Sequence, residues 1–226
     1  LGDSITEGYW GRGYGIEPDR LWSGRFPAES CSRDGRNFPQ YAPTASVHAP
    51  GTTCFESWLT RLNDRLTAAW GRPVFIANEG WGGYTTRDYL RLMETDGQWA
   101  ARLRRLAPQV WLIHLGVNDE RAHRPAAEFG ADLRRMVERL CRDGKADPKR
   151  IYVARPCYDY WERAEEFLTA YIAEIDRIRA HYGMPEGPDF YAAYATDRAR
   201  WYGADPVHPN PEGMARMADL WAQRLT

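Results

Sequence analysis

The sequence predicts an α/β protein in which helices cover a parallel sheet, and two observations support this fold class. From about residue 55 onward, segments with apolar residues at helical spacing alternate with short apolar runs. This order is typical of strand–helix units built around a parallel sheet. The run 110–115 is almost continuously apolar, as expected for a strand that helices cover on both faces.

Each predicted element follows from its local pattern. Apolar residues recur at helical spacing in 55–70, in 86–107 with a break near Gly97, in 129–140, in 168–178 and in 214–221. Short apolar runs predict strands at 74–76, 110–115 and 151–154, and a weaker run predicts one at 189–195. Asn210 as N-cap and Pro211 at the first helical position predict where the last helix begins. Four tryptophans lie on the helical stripes and are expected in the core, namely Trp58, Trp70, Trp99 and Trp221.

Length and composition indicate one globular domain spanning 1–226. Lys and Arg total 30 and Asp and Glu total 31, so the formal net charge is −1. That balance provides no overall attraction for nucleic acid or an anionic membrane. No apolar run approaches the ~18 residues that a membrane-spanning helix needs. We therefore expect no nucleic-acid partner and no transmembrane segment, while oligomeric state and localisation stay open.

Polar or glycine-rich turns follow predicted strands and should carry the chemistry. They occupy 2–6, 80–86 and 116–119, and a fourth turn at 205–208 precedes the last helix. Ligands of open parallel sheets bind beyond the carboxyl ends of the strands, so we expect these turns to meet at one edge. Only Leu1 remains of the strand that would precede the first turn, so this strand is expected to be truncated.

The residue types in these turns suit acyl transfer. A serine hydroxyl such as that of Ser4 is a weak nucleophile until a base removes its proton. His208 can be that base, and Asp205, three residues earlier, can hold the imidazole in one tautomer. The backbone N–H of Gly83 and the side-chain amide of Asn118 can supply preorganised donors to an oxyanion. Each motif alone is also explained as a turn, a helix cap or a surface hydrogen bond; their combination and order are more specific.

Together the motifs resemble the SGNH hydrolases, also called the GDSL esterase/lipase superfamily. The segments that resemble its sequence blocks are Gly2-Asp3-Ser4-Ile5-Thr6, residues 78–85, Gly116-Val117-Asn118-Asp119 and Asp205-Pro206-Val207-His208. The resemblance implies a flavodoxin-like, three-layer α/β/α sandwich. It further implies a carboxylic ester hydrolase that works through an acyl-enzyme and needs no cofactor.

The resemblance assigns a role to each site residue. Ser4, Asp205 and His208 are expected as the catalytic residues. Ser4, Gly83 and Asn118 are expected as the oxyanion hole, with Gly82 as an alternative to Gly83 in another register.

The histidines show no ligand spacing of the H-E-x-x-H kind, so no metal is expected.

Residues 9–54 interrupt the regular order with a long segment rich in Gly and Pro. Long irregular segments inside compact domains are often functional, so we expect this one to overhang the catalytic edge and set substrate choice. Its Cys31 and Cys54 can form a disulfide in an oxidising compartment or remain thiols. Three tryptophans near the expected site, Trp10, Trp22 and Trp81, are candidates for stacking on a sugar or aryl ring.

The favoured substrate is a short acyl ester, such as an acetyl ester, of a carbohydrate or small alcohol. Aryl esters, lysophospholipids and thioesters are substrates of other relatives, and an acyltransferase would use the same triad. Two alternatives come from other classes of protein. One is a metal-dependent phosphoesterase, and the other is a glycan-binding module without catalytic activity.

Overall fold

The computed structural model describes residues 1–8, 57–161, 163–202 and 206–226, without the side chains of residues 98, 99 and 102. The expectations for the long segment, for Trp10, Trp22, Cys31 and Cys54, and for the Trp99 side chain lie outside the described residues, as does Asp205. The described chain is mixed α/β with a parallel three-stranded sheet. The predicted fold class is therefore confirmed.

The sheet consists of β1 (Trp111–Ile113), β2 (Ile151–Arg155) and β3 (Glu186–Asp189), in that order. Among the described residues the helices are α1 (Ser4–Glu7), α2 (Trp58–Trp70), α3 (Thr86–Thr95), α4 (Gly97–Leu106), α5 (Val117–Arg121), α6 (Ala126–Asp143), α7 (Ala164–Tyr182), α8 (Phe190–Tyr194), α9 (Arg198–Trp201) and α10 (Pro211–Leu225). A short 3-10 helix, Pro148–Arg150, precedes β2. The helical break expected near Gly97 lies between α3 and α4.

The chain divides into two compact units, and the first contains Leu1–Asp3 and Gly83–Ala195. This unit holds the whole sheet, with Trp111 of β1 opposite Ile151 of β2. The first residues run parallel to β1, because the His114 N–H donates to the Leu1 carbonyl at 3.0 Å and Gly2 bridges to His114. Helix α6 packs against α3 and α7, and the apolar side chains between these elements are buried.

The second unit contains Ser4–Gly82 and Thr196–Thr226. Its core forms where α2 packs against α10. Trp58 and Trp221 stack there with ring centroids 5.6 Å apart, and neither exposes more than 1% of its surface. Helix α10 begins as predicted, since the Asn210 side chain accepts the N–H of Gly213 and a proline holds the first helical position.

The predicted strand at 74–76 is wrong. The described residues form no ladder with this segment, and Phe75 is 79% exposed. The N–H of Val74 instead donates to the Thr67 hydroxyl at 3.3 Å, so a local side-chain contact takes a group that a strand would use for pairing. Trp70 at the end of α2 is likewise 38% exposed rather than buried.

The predicted strand at 189–195 is also wrong in position. Strand β3 ends at Asp189, and helix α8 begins at the next residue. The Asp189 carboxylate accepts the N–H of Ala192 at 2.9 Å, which is the contact of a helix N-cap. This cap favours a helix where the aromatic and small side chains by themselves suggested a strand.

Candidate active site

Ser4 is the first residue of α1 and is buried, with 6% of its surface exposed. Its carbonyl accepts the N–H of Gly8 at 3.0 Å, which closes a single helical turn. The Ser57 hydroxyl donates to the Thr6 carbonyl at 2.7 Å. These contacts fix the short helix that carries the serine hydroxyl.

His208 lies just before α10 and is 9% exposed. The residue after it, Pro209, bridges to Tyr202 in antiparallel fashion. Asn210 follows, and its N–H donates to the Trp201 carbonyl at 2.8 Å. The Asn210 side chain also donates to the Arg200 carbonyl at 2.8 Å. The imidazole is thus held by a turn that is anchored to α9 and capped onto α10.

The hydroxyl of Ser4 and the imidazole of His208 are in direct contact within the second unit. Ser4 Oγ lies 2.8 Å from His208 Nε2, across 204 positions of sequence. When the ring proton is on Nδ1, the hydroxyl donates to Nε2 and the ring can accept its proton. The structure therefore brings two of the predicted catalytic residues together, while Asp205 lies outside the described residues.

Gly83 and Asn118 belong to the first unit. Gly83 is exposed and has φ of +78°, a conformation that favours glycine. Asn118 lies in α5, and its side-chain nitrogen donates to the Tyr84 carbonyl at 3.1 Å. An amide nitrogen carries two N–H groups, so this bond orients the Asn118 side chain and uses one of its two donors.

Gly82 differs from Gly83 in its surroundings. Gly82 is buried, and its N–H donates to the Glu7 carboxylate at 2.6 Å. Gly82 and Glu7 both belong to the second unit. The single backbone donor of Gly82 is therefore already used inside the protein, whereas Gly83 is exposed.

A buried ionic network supports the turn that carries Asn118. Asp119 is fully buried and accepts from the N–H of Thr86 at 3.0 Å and from Arg124 at 2.5 Å. Arg124 also bonds Asp132. Burial raises the pKa of Asp119, and the Thr86 and Arg124 contacts oppose that rise. The network ties α5 to the start of α3, and sequence spacing gave no signal for the part played by Arg124.

The aromatic side chains near these turns differ in exposure. Trp81, a predicted stacking residue, is only 8% exposed, and this burial leaves little ring surface for a ligand. Trp161, which lies outside the sequence motifs, is 45% exposed. The Arg121 guanidinium of α5 lies 4.9 Å from the centre of the Trp161 ring. Trp161 lies in the segment that follows β2 at its carboxyl end.

His114 is fully buried in the first unit. Its Nε2 accepts the N–H of Cys157 at 3.4 Å, and its ring packs edge-on against Phe190. Burial lowers the pKa of His114 to about 3. This histidine is therefore neutral at physiological pH and packs as part of the core.

The described residues contain no group of three or more His, Cys, Asp or Glu side chains placed to hold a metal ion. Within the same part of the chain, every helix is too short or too polar to cross a membrane.

Comparison with known proteins identifies the class of hydrolase to which this fold and these motifs belong. The model of the GDSL-like Lipase/Acylhydrolase family matches residues 43–216, so the chain belongs to that family of esterases and hydrolases. The match includes Gly83, Asn118 and His208, and Ser4 lies before it.

An arylesterase from Vibrio mimicus is 28% identical over 177 residues, which are 75% of this chain and 78% of the relative. A lipase/acylhydrolase from Enterococcus faecalis has a similar solved structure, with a TM-score of 0.64 at 18% identity over 99% of this chain and 92% of that one. A variant of an acetylxylan esterase from Geobacillus stearothermophilus gives a TM-score of 0.61 at 20% identity, covering 87% of this chain and 90% of that one. These structures share the fold of the present chain.

Proposed function

We propose that the chain is a serine ester hydrolase in which Ser4 is the nucleophile and His208 is the general base. The observation that carries the proposal is the 2.8 Å contact between Ser4 Oγ and His208 Nε2. Both side chains are buried, and this burial limits competition from water for their hydrogen bond. A serine hydroxyl and an imidazole at this distance are the minimum arrangement for nucleophilic catalysis at neutral pH.

In the proposed reaction, Ser4 Oγ attacks the ester carbonyl while His208 takes the hydroxyl proton. The tetrahedral intermediate collapses, His208 returns the proton to the leaving alcohol, and an acyl-Ser4 ester remains. Water then attacks this ester with His208 again as base, which releases the carboxylic acid and restores the serine. Asp205 is proposed to hold the imidazole through Nδ1, following the family pattern.

The proposed oxyanion donors are the backbone N–H of Ser4, the backbone N–H of Gly83 and the side-chain amide of Asn118. Exposure of Gly83 and the internal bond of Gly82 favour Gly83 over Gly82 as the donor. The bond from Asn118 to the Tyr84 carbonyl supports a fixed amide orientation. Preorganised donors of this kind need no rearrangement as negative charge develops on the substrate oxygen.

The proposed substrate is a short acyl ester, such as an acetyl ester, of a carbohydrate or a small alcohol. The structural similarity to an acetylxylan esterase supports the carbohydrate ester. The exposed Trp161, with Arg121 against its ring, offers a flat surface on which a sugar can pack. The arylesterase relative supports an aryl ester as the alternative. The substrate screen described below also tests lysophospholipids, thioesters and acyl transfer to an alcohol.

The proposal is tested by hydrolysis of p-nitrophenyl acetate. Wild type should turn over, and Ser4→Ala should lose activity while its circular dichroism spectrum and melting temperature stay close to wild type. Activity that persists in a clean Ser4→Ala preparation would rule out the assignment. A screen of acetylated oligosaccharides, aryl esters, lysophospholipids and thioesters, with water or an alcohol as acceptor, then ranks the substrates.

A further inference from the structure

Glu7 is a buried carboxylate three residues after Ser4, at the end of α1. It is 7% exposed, and Glu7 Oε2 accepts the N–H of Gly82 at 2.6 Å. A carboxyl group removed from water is costly unless it is hydrogen-bonded, and the Gly82 N–H supplies such a bond. This contact is therefore a direct link between the serine-bearing helix and the Gly82 backbone.

Contacts of Asn78 and Gly80 with the Glu7 backbone strengthen the same link. The Asn78 side chain donates to the Glu7 carbonyl at 3.3 Å and accepts the N–H of Gly80 at 2.9 Å. A Cβ on Gly80 would collide with the Glu7 backbone nitrogen, so only glycine permits this approach. Residues 78–82 thus lie directly against α1, with the Glu7 carboxylate bonded to their last residue.

We propose that Glu7 is a positioning residue for ester hydrolysis and acts through the Gly82 amide. The Gly82 N–H and the Gly83 N–H belong to consecutive planar peptide units that meet at the Gly82 Cα. Only the two backbone torsions of Gly82 separate them, so anchoring the first N–H limits where the second can lie. Glu7 therefore limits the positions open to the proposed oxyanion donor, the Gly83 N–H. The inference rests on the proposed function, since it assigns Gly83 a part in that reaction.

The proposal predicts an order among Glu7 variants. Glu7→Ala removes the acceptor, and kcat should fall about 10- to 100-fold, a range that lies within the loss from misplacing catalytic geometry by about 1 Å. KM should change less than about threefold, because the ground-state carbonyl depends little on the oxyanion donor. Glu7→Gln keeps an oxygen acceptor at the same reach and should recover most of kcat. Glu7→Asp withdraws the carboxylate by one methylene and should resemble Glu7→Ala.

The experiment measures kcat and KM with p-nitrophenyl acetate for these variants, for wild type and for Ser4→Ala. Leu66→Ala is the matched control, because Leu66 is buried in α2 and is a partner in none of the hydrogen bonds described above. It should lower the melting temperature and leave kcat at 25 °C unchanged. Amide exchange at Gly82 is measured in parallel, and protection should be lost in Glu7→Ala and kept in Glu7→Gln.

The two proposals fail in different ways. A wild type without turnover, or an active Ser4→Ala, overturns the proposed function and with it the role of Glu7. If wild type is active and Ser4→Ala is not, a folded Glu7→Ala with wild-type kcat overturns the positioning role alone. Should Glu7→Ala fail to fold, Glu7→Asp decides the same question, and equal loss in Glu7→Gln and Glu7→Asp also contradicts the proposal.

Discussion

Replacing Glu120 by Gln should change how the stability of the protein depends on pH. Glu120 in α5 and Asp159 after β2 are both fully buried and interact with each other. Burial raises the pKa of both carboxyls, and the Asp159 charge raises that of Glu120 further. Arg121 opposes the rise at both groups, and the N–H of Trp161 stabilises the Asp159 carboxylate from 3.4 Å.

The sign of the effect follows from proton binding. Between the unfolded pKa values, about 4, and the raised values of the folded protein, the folded state binds more protons than the unfolded state. The free energy of unfolding therefore falls as pH rises through this window. A rise of one pKa unit corresponds to about 1.4 kcal/mol, so the pair should make the protein less stable at pH 8 than at pH 5 by about that amount or more.

Urea unfolding at pH 5, 6, 7 and 8 measures this dependence. Gln imitates the protonated carboxyl, so Glu120→Gln should match wild type near pH 5 and exceed its stability at pH 8 by about 1.4 kcal/mol. Glu165→Gln, at an exposed site in α7, is the control. Its free energy of unfolding should differ from that of wild type by the same amount at all four pH values. A Glu120→Gln difference that does not vary with pH would show that the Glu120 pKa is not raised.

Four further substitutions test the fold and the substrate proposal. Trp161→Ala should raise KM about tenfold for an acetylated oligosaccharide and leave p-nitrophenyl acetate kinetics unchanged; an equal effect on both esters would argue against a sugar contact. Gly80→Ala forces a Cβ against the Glu7 backbone and should cost more than about 2 kcal/mol in chemical unfolding. Gly71→Ala meets open space at φ of +62° and should cost only about 1 kcal/mol, so equal costs would contradict the close approach. Asn210→Ala removes the cap of α10 and should lower the free energy of unfolding by about 0.5–2 kcal/mol. Because the same turn anchors His208, kcat should fall as well. An unchanged melting temperature would show that the cap is not needed.

Much of the fold could be predicted because its signals are local. The helical stripes, the break near Gly97 and the Asn210 cap each depend on residues within one or two turns. Where a local side chain competes with a weak pattern, the prediction failed. Asp189 caps a helix where a strand was expected, and the Thr67 hydroxyl takes the N–H of Val74.

The candidate site, too, could be predicted only where its signals are local. Ser4 and His208 could be nominated from their motifs, but their contact spans 204 positions and needs the folded chain. Glu7, Arg124 and Trp161 were missed because their importance lies in tertiary contacts that leave no spacing in the sequence. A buried carboxylate bonded to a backbone amide 75 positions away has no local signature.

Covalent labelling of Ser4 by a fluorophosphonate tests the proposed mechanism most directly. In this reaction Ser4 Oγ bonds to phosphorus and fluoride leaves, so intact mass and peptide mapping identify the nucleophile. Wild type should gain one adduct, on Ser4, with parallel loss of esterase activity, and His208→Ala should label at least about 100-fold more slowly. An adduct on another residue, or esterase activity that survives full modification of Ser4, would contradict the mechanism.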